Sequence, residues 1–414
     1  MNKTFLKNLI FTLLIFGVFL VALEILCRVF YPDAMSFRMI KFHNDPSSFR
    51  LFQKDYDLGW KLRPGRDVVF CGVKVRTNSL GMRCPEPLDD ASLRLLFIGD
   101  STTFGWGIDQ EKTYPSLVLK DLQNKFPEKS IDMLNTAVPG YTSLHGRIFV
   151  DKNLSRFHPD WVIVCLSNNE YEHAPRTLLE DYRKRTFLSL FKRPFYHLYF
   201  YQLISDLFLY RSPGHLKPSM KKDDLKPKVP LADFSENILY IIDSCSRSSR
   251  IIVLSMPRNI IFPPNTSGEI FIDSKSLDLT YEGLKLHKKK NYSEAMRFFE
   301  EAIKIDEDNY QAFFWAGRAS LMLGNASQGV HLIETSIQKD PFSQIVPKDY
   351  ESVLEDICLK ADKNVVFINI HRLFENDFPD EVFLDRAHPS EKGLEIIAEN
   401  LSRAIGEEVT KAVP

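Results

Sequence analysis

Net charge of either sign is missing from this chain. Its 53 lysines and arginines face 54 aspartates and glutamates, a formal balance of −1, with both signs interspersed. No basic field of the kind a phosphate backbone requires can form, so no nucleic-acid partner is expected. Metal-binding spacings are missing as well. The six cysteines and ten histidines contain neither Cys-x-x-Cys nor His-x-x-x-His, which speaks against a metal, and nothing calls for a cofactor.

A third absence lies near the N-terminus. Leu9 to Cys27 is rich in Leu, Ile, Phe and Val, interrupted only by Thr12, Gly17 and Glu24, yet no small-x-small cleavage site follows it. Cys27 is no lipoprotein site either, because Leu26 stands where a small residue is needed. The stretch is long enough to span a bilayer. A membrane anchor is the expectation, with a signal peptide and a buried helix as rivals. Charge does not orient it, since Lys3 and Lys7 on one side are answered by Arg28, Arg38 and Lys41 on the other.

What is present is ample apolar material, 44% of 414 residues, enough for one large core and an accessory domain. Its focus is the stretch Leu95-Leu96-Phe97-Ile98-Gly99-Asp100-Ser101-Thr102-Thr103-Phe104-Gly105, where an apolar run stops at a small polar triplet and a helix-like stretch follows. A strand leaving its sheet through Gly99 can turn sharply, and a hydroxyl at the start of the next helix meets positive partial charge. Ser101 is therefore read as a nucleophile. Serine is weak at neutral pH, so this reading needs a base, a carboxylate to orient the base, and oxyanion donors.

Candidates for each exist. Phe383-Leu384-Asp385-Arg386-Ala387-His388-Pro389 is read as opening a helical stretch, in which the three-residue step puts Asp385 and His388 on one turn. Asp385 then holds the imidazole and His388 takes the Ser101 proton. Asn135 to Ser143 and Val162 to Glu170 read as strand ends passing into turns, both on the Ser101 edge of a parallel sheet.

With these four blocks in this order, the sequence resembles the SGNH, or GDSL, hydrolase family. The resemblance implies Ser101 as nucleophile, Gly140 and Asn169 as oxyanion donors, and Asp385 with His388 as the acid–base pair. Asn169 is taken over Asn168 because the family's Gly-x-Asn-Asp aligns with Ser167-Asn168-Asn169-Glu170. Two departures follow, Ser167 for glycine and Glu170 for aspartate. If the family glycine has φ > 0, Ser167 carries strain of about 1 kcal/mol and narrows the acyl pocket.

Organisation along the chain is read as follows: membrane anchor 1–31; β-rich apron 32–90; hydrolase segments 91–174, 236–262 and 343–414; and insertions at 175–235 and 277–342. The fold class expected is α/β, a three-layer domain with a parallel sheet whose strands lie near 94–98, 131–135, 161–166, 250–255 and 364–370. In the last helix Leu394, Ile397, Leu401 and Ile405 form an apolar stripe widened by Ile396 and Ala404. In the apron Cys71 and Cys84 flank a hairpin and either pair, in an oxidising compartment, or remain thiols. Cys165, Cys245 and Cys358 read as core.

The first insertion mixes aromatics (Phe187, Phe191, Phe195, Tyr196, Tyr199, Phe200, Tyr201, Phe208, Tyr210) with Arg183, Lys184, Arg185, Lys192, Arg193 and Arg211. It is a lid over Ser101, a surface dipping into the bilayer interface, or a buried helical cap. The second repeats with a step of 34: Gly283 recurs at Gly317, Ala295 at Gly329, Ala302 at Ser336 and Asp306 at Asp340. That is the tetratricopeptide period. Two copies need neighbours to bury their faces, so they dock on flanking helices or on the first insertion, as a peptide-binding groove or as a structural cap.

A bacterial subgroup of SGNH-like proteins combines a membrane segment, a hydrolase domain and inserted tetratricopeptide helices, and this chain resembles it across nearly its whole length. The resemblance implies a membrane-anchored serine esterase or acyl hydrolase with a periplasmic catalytic domain, acting on an ester of a lipid or an acylated glycan. Two alternatives stand beside it: O-acyl transfer to an envelope glycan, and a vestigial hydrolase whose repeats bind a protein partner.

Overall fold

The computed structural model describes residues 3–30, 48–166, 168–187, 195, 198–204, 221–255, 257–361, 364–374 and 379–411. Of the sequence-based readings, those on Arg38, Lys41, Ser167, Phe191, Lys192, Arg193, Tyr196, Phe208, Tyr210 and Arg211 lie outside these residues. The chain divides into two compact units, residues 1–81 with 181–215, and residues 82–180 with 216–414.

In the first unit, α1 (Lys3–Phe30) is a 28-residue helix. Its stretch Thr4–Phe30 is long and apolar enough to cross a membrane, and none of its most apolar 18-residue window is buried. Glu24, the acid that interrupts the apolar run, pairs with Arg28 at 2.8 Å and accepts the Phe200 N–H at 3.1 Å. Arg28 also lies 4.9 Å over the Tyr199 ring. The aromatic helix Tyr199–Ile204 thereby docks on the last turns of α1.

The same unit holds two hairpins. Strands β1 (Phe52–Asp55) and β2 (Gly59–Leu62) pair antiparallel, as do β3 (Asp67–Phe70) and β4 (Val73–Arg76). Phe52 and Phe70 meet edge to face at 5.4 Å in the small core. Cys71 does not sit beside the hairpin. It is the first residue of the β3–β4 turn, with φ 50 before Gly72 at φ 80, the pair of positive φ values that a tight two-residue hairpin turn requires. Cys71 and Cys84 are both thiols.

The second unit is built on five parallel strands. They are β5 (Leu93–Gly99), β6 (Ile131–Asn135), β7 (Trp161–Cys165), β8 (Arg250–Leu254) and β9 (Val365–Ile368), in the spatial order β9-β8-β7-β5-β6. All five fall where the apolar runs placed them. Strands buried on both faces read as unbroken apolar runs, and β5 shows the two faces directly. Phe97 meets Tyr114 edge to face at 5.8 Å, while Ile98 lies 3.4 Å from where a Cβ on Gly146 would stand. Tyr114 and Gly146, neighbours of Phe97 and Ile98, belong to helices on opposite faces, because successive strand residues point oppositely.

One face carries α3 (Tyr114–Lys125), which follows the single-turn α2 (Ser101–Phe104), and the other carries α4 (Ser143–Phe157) and α5 (Leu231–Ser246). Between β8 and β9 lie α6 (Ser274–Lys288), α7 (Tyr292–Ile305), α8 (Tyr310–Met322), α9 (Ala326–Lys339) and α10 (Lys348–Lys360). The last helix, α11 (Glu391–Lys411), packs on α3. Its buried stripe is Leu394, Ile397, Leu401 and Ile405, as expected, but Ala398 and Ser402 widen it. Ile396 and Ala404 are only half-buried.

Helices α6 to α9 form two tandem helical hairpins with the 34-residue step. A side chain at Gly283 would strike Phe299, and one at Gly317 would strike Ile333. Ser276 donates to the Ala302 carbonyl and Ser336 to that of Tyr310, each at 2.7 Å, so one contact recurs with donor and acceptor exchanged. The hairpins dock on the connector after β8. Arg318 donates to the Ile261 carbonyl at 2.8 Å, and Gln311 to that of Asn265 at 2.9 Å.

Candidate active site

The order β6-β5-β7 places a topological switch beside β5, since the chain proceeds from there to one side and then to the other. In open parallel sheets, ligands bind at such a point, outside the carboxyl ends of the strands. Ser101 follows β5 directly. Gly99 is required there by close approach, since a Cβ would lie 2.0 Å from the Thr103 hydroxyl. The helix after it is shorter than the sequence suggested. It is one turn, capped by the Asp100 carboxylate accepting the Thr102 N–H at 2.9 Å and ended by Gly105 at φ 86, so the dipole contribution is small.

Arg83 holds that turn from below. Fully buried, it donates to the carbonyls of Phe104, Gly105 and Ile108 at 2.7, 2.7 and 2.6 Å. Its guanidinium covers the Phe104 ring at 4.7 Å. Burial lowers its pKa to about 10, partly offset by Asp109 and Glu111.

Ser101 and His388 are 287 positions apart, yet the Ser101 Oγ lies 2.8 Å from His388 Nε2. The other ring nitrogen, Nδ1, lies 2.8 Å from Asp385 Oδ2. The segment that carries them is not helical, contrary to the sequence reading. It is a turn closed by the Phe383–Pro389 bridge and by the Leu384 N–H donating to the His388 carbonyl at 2.8 Å; α11 begins only at Glu391. The three-residue step works differently here, with Asp385 Oδ1 accepting the N–H groups of Ala387 and His388 at 2.8 Å each. Such a local bond makes Asp a turn former. Burial pushes the Asp385 carboxyl up, but the His388 contacts and the two N–H groups outweigh it, leaving the pKa at about 2.

The other two strand ends arrive as expected. Gly140 sits at φ 82 in the turn Val138-Pro139-Gly140-Tyr141, where the Tyr141 N–H donates to the Val138 carbonyl at 3.1 Å. Asn169 Nδ2 donates to the Tyr141 carbonyl at 3.0 Å and to Asp100 Oδ2 at 3.3 Å, tying the β7 end to the β6 and β5 ends. Burial raises the Asp100 carboxyl to about 6. Glu170 accepts the Ser143 N–H at 2.6 Å, capping α4, and burial raises its carboxyl to about 8.

Residues 97–191 match the model of the GDSL-like Lipase/Acylhydrolase family. The chain carries a hydrolase domain of this family. Solved structures similar to it include a catalytic mutant of Axe2, an acetylxylan esterase from Geobacillus stearothermophilus, at 16% identity and TM-score 0.37, with 76% of this chain and 95% of that chain covered. Another is LAE5, an alpha/beta hydrolase enzyme from the metagenome of Lake Arreo, Spain, at 15% identity and TM-score 0.35, with 76% and 96% covered. TM-scores this low carry no argument about substrate. No curated protein matches the chain.

Two residues of the hydrolase domain's site, Trp106 and Arg83, escaped the sequence reading, and a third, Asn168, entered it only as the residue passed over for Asn169. Trp106 stacks on His388, with centroids 5.5 Å apart and planes at 16°, because Gly105 turns the chain so that the Trp106 N–H reaches the Ser101 carbonyl at 3.0 Å. Asn168 is buried, and neither atom of its amide has a hydrogen-bond partner among the described residues. Of the two that escaped, only Trp106, lying close after the Gly-Asp-Ser triplet, could have been suspected from the sequence.

Proposed function

We propose that the chain is a membrane-anchored serine esterase acting on an ester in the cell envelope. Ser101 Oγ attacks the carbonyl carbon as its proton passes to His388 Nε2. Asp385 orients the ring through Nδ1–H and stabilises the imidazolium. The N–H groups of Ser101 and Gly140 and the Asn169 amide receive the oxyanion, with Asn169 giving up its longer bond to Asp100. Collapse of the tetrahedral intermediate transfers the proton from His388 to the departing alcohol, and water, activated by the same imidazole, releases the acid.

One observation carries the reading: the 2.8 Å contacts from Ser101 to His388 and from His388 to Asp385. The length and apolarity of α1, with none of its 18-residue apolar window buried, support the anchor. The docking of the aromatic helix Tyr199–Ile204 at the end of α1 supports a membrane-proximal place for that insertion. The 34-residue step supports reading α6 to α9 as tetratricopeptide-like.

The test is a fluorophosphonate probe together with p-nitrophenyl acetate turnover. The intact chain is expected to label at Ser101, and Ser101→Ala to lose both labelling and nearly all turnover. Equal turnover by Ser101→Ala would falsify the mechanism.

A further inference from the structure

The connector after β8 faces two ways in consecutive residues. Arg258, buried, donates from Nε to the Val346 carbonyl at 3.1 Å and pairs with Glu334 of α9 at 2.7 Å and Glu351 of α10 at 3.6 Å. Asn259, also buried, turns to the catalytic loop. Its backbone N–H donates to the Arg386 carbonyl at 3.1 Å and its Nδ2 to the Asp385 carbonyl at 3.3 Å. These are the carbonyls of the triad carboxylate residue and of the next residue. The Leu384 to His388 bond closes the turn from within; Asn259 holds it from outside.

The Asn259 amide is poorly explained by packing alone. Its Oδ1 is buried without a partner among the described residues, a condition that costs stability and that an apolar side chain of similar size avoids. Arg386 adds a second link between the turn and the connector, its guanidinium lying 5.4 Å over the Phe262 ring. Asp340, at the end of α9, adds an attractive charge that reaches it from the helical hairpins.

The geometry points to Asn259 as a positioning residue for the Asp385–His388 turn, and to the helical insertion as the buttress that fixes Asn259 through Arg258 and Glu334. This rests on the proposed triad, and nothing in the family match, which ends at residue 191, reaches these positions. A carboxylate and imidazole on a turn keep their relation to a distant serine only if the turn is held against the body of the domain. Displacement of about 1 Å costs about 100-fold in rate.

The experiment uses the full chain in detergent, with p-nitrophenyl acetate turnover divided by the number of sites titrated to completion with fluorophosphonate. Asn259→Ala is expected to lower kcat per titrated site by at least about tenfold with KM changed less than about twofold. Glu334→Ala is expected to lower it in the same sense, and Glu334→Gln, which keeps an oxygen for Arg258, to restore most of the loss. If Asn259→Ala yields no folded protein, the Glu334 pair decides. A parent-like kcat per site in Asn259→Ala, or in Glu334→Ala where Asn259→Ala does not fold, overturns the inference. Failure of the triad reading shows elsewhere, as an unlabelled parent chain or an active Ser101→Ala.

Discussion

Trp106 lies flat against His388, with ring centroids 5.5 Å apart and planes 16° from parallel. The indole walls one face of an imidazole whose two nitrogens are already held by Ser101 and Asp385, and an aromatic face favours the ring when it becomes a cation. Trp106→Ala is expected to lower kcat by about tenfold, equivalent to ~1.4 kcal/mol of lost transition-state stabilisation, while Trp106→Phe retains most of the rate. Steady-state kinetics on p-nitrophenyl acetate check this; equal rates for parent and alanine variant would leave the stack without a role in the reaction.

Asp385 does two jobs with two oxygens. Oδ1 builds the turn and Oδ2 orients the imidazole. Asp385→Asn keeps an oxygen for the turn but puts a donor or a neutral oxygen opposite Nδ1, so the chain is expected to fold while kcat falls by about 10⁴. A circular-dichroism melt alongside the kinetics separates the two functions. Asn169→Ala is expected to cost on the order of 100-fold in kcat for want of one oxyanion donor.

Glu170 sets a pH dependence of stability. Burial raises its carboxyl from the ordinary 4.5 to about 8, against the pull of the Ser143 N–H and hydroxyl. Between those values the folded chain holds a proton that the unfolded chain has released, so this contribution is full below pH 4.5 and is lost as pH rises through 8. Glu170→Gln, which resembles the protonated acid, is expected to flatten that slope and to melt above the parent at pH 8. Melting curves at pH 5, 6.5 and 8 test it, and parallel slopes for the two chains would contradict it.

Arg83 is a structural clamp. Its removal strands three buried carbonyls beneath the turn that carries Ser101, and each orphaned acceptor costs about 1–3 kcal/mol. Arg83→Ala is expected to lose at least about 3 kcal/mol in urea unfolding. A change under 1 kcal/mol would mean that water replaces the guanidinium without penalty.

The proposed anchor, α1, is tested by its removal. A chain lacking residues 1–30 is expected to move from the membrane pellet to the soluble fraction while keeping its turnover of p-nitrophenyl acetate. Continued pelleting would place the membrane contact elsewhere in the chain.

The sequence by itself determined what local pattern can encode: the five strands as short, mainly apolar runs, the apolar helix α1, the stripe along α11, the 34-residue step that returns as Gly283 and Gly317 in matching contacts, and the Gly-Asp-Ser triplet at the end of β5. Each is a periodicity or a composition, and the forces behind it act between near neighbours. It misjudged Asp385 and His388 as helical, because a three-residue step suits a helical turn and an Asp-closed turn equally, and only the Phe383–Pro389 bridge distinguishes them.

Tertiary structure alone decided the rest. Arg83 beneath Phe104, Trp106 against His388, Glu170 on Ser143 and Asn259 on Asp385 join segments whose meeting depends on strand order and crossover direction. No window of sequence contains both partners of the long-range contacts, and a buried polar residue names its partner only once the chain has brought one within 3 Å.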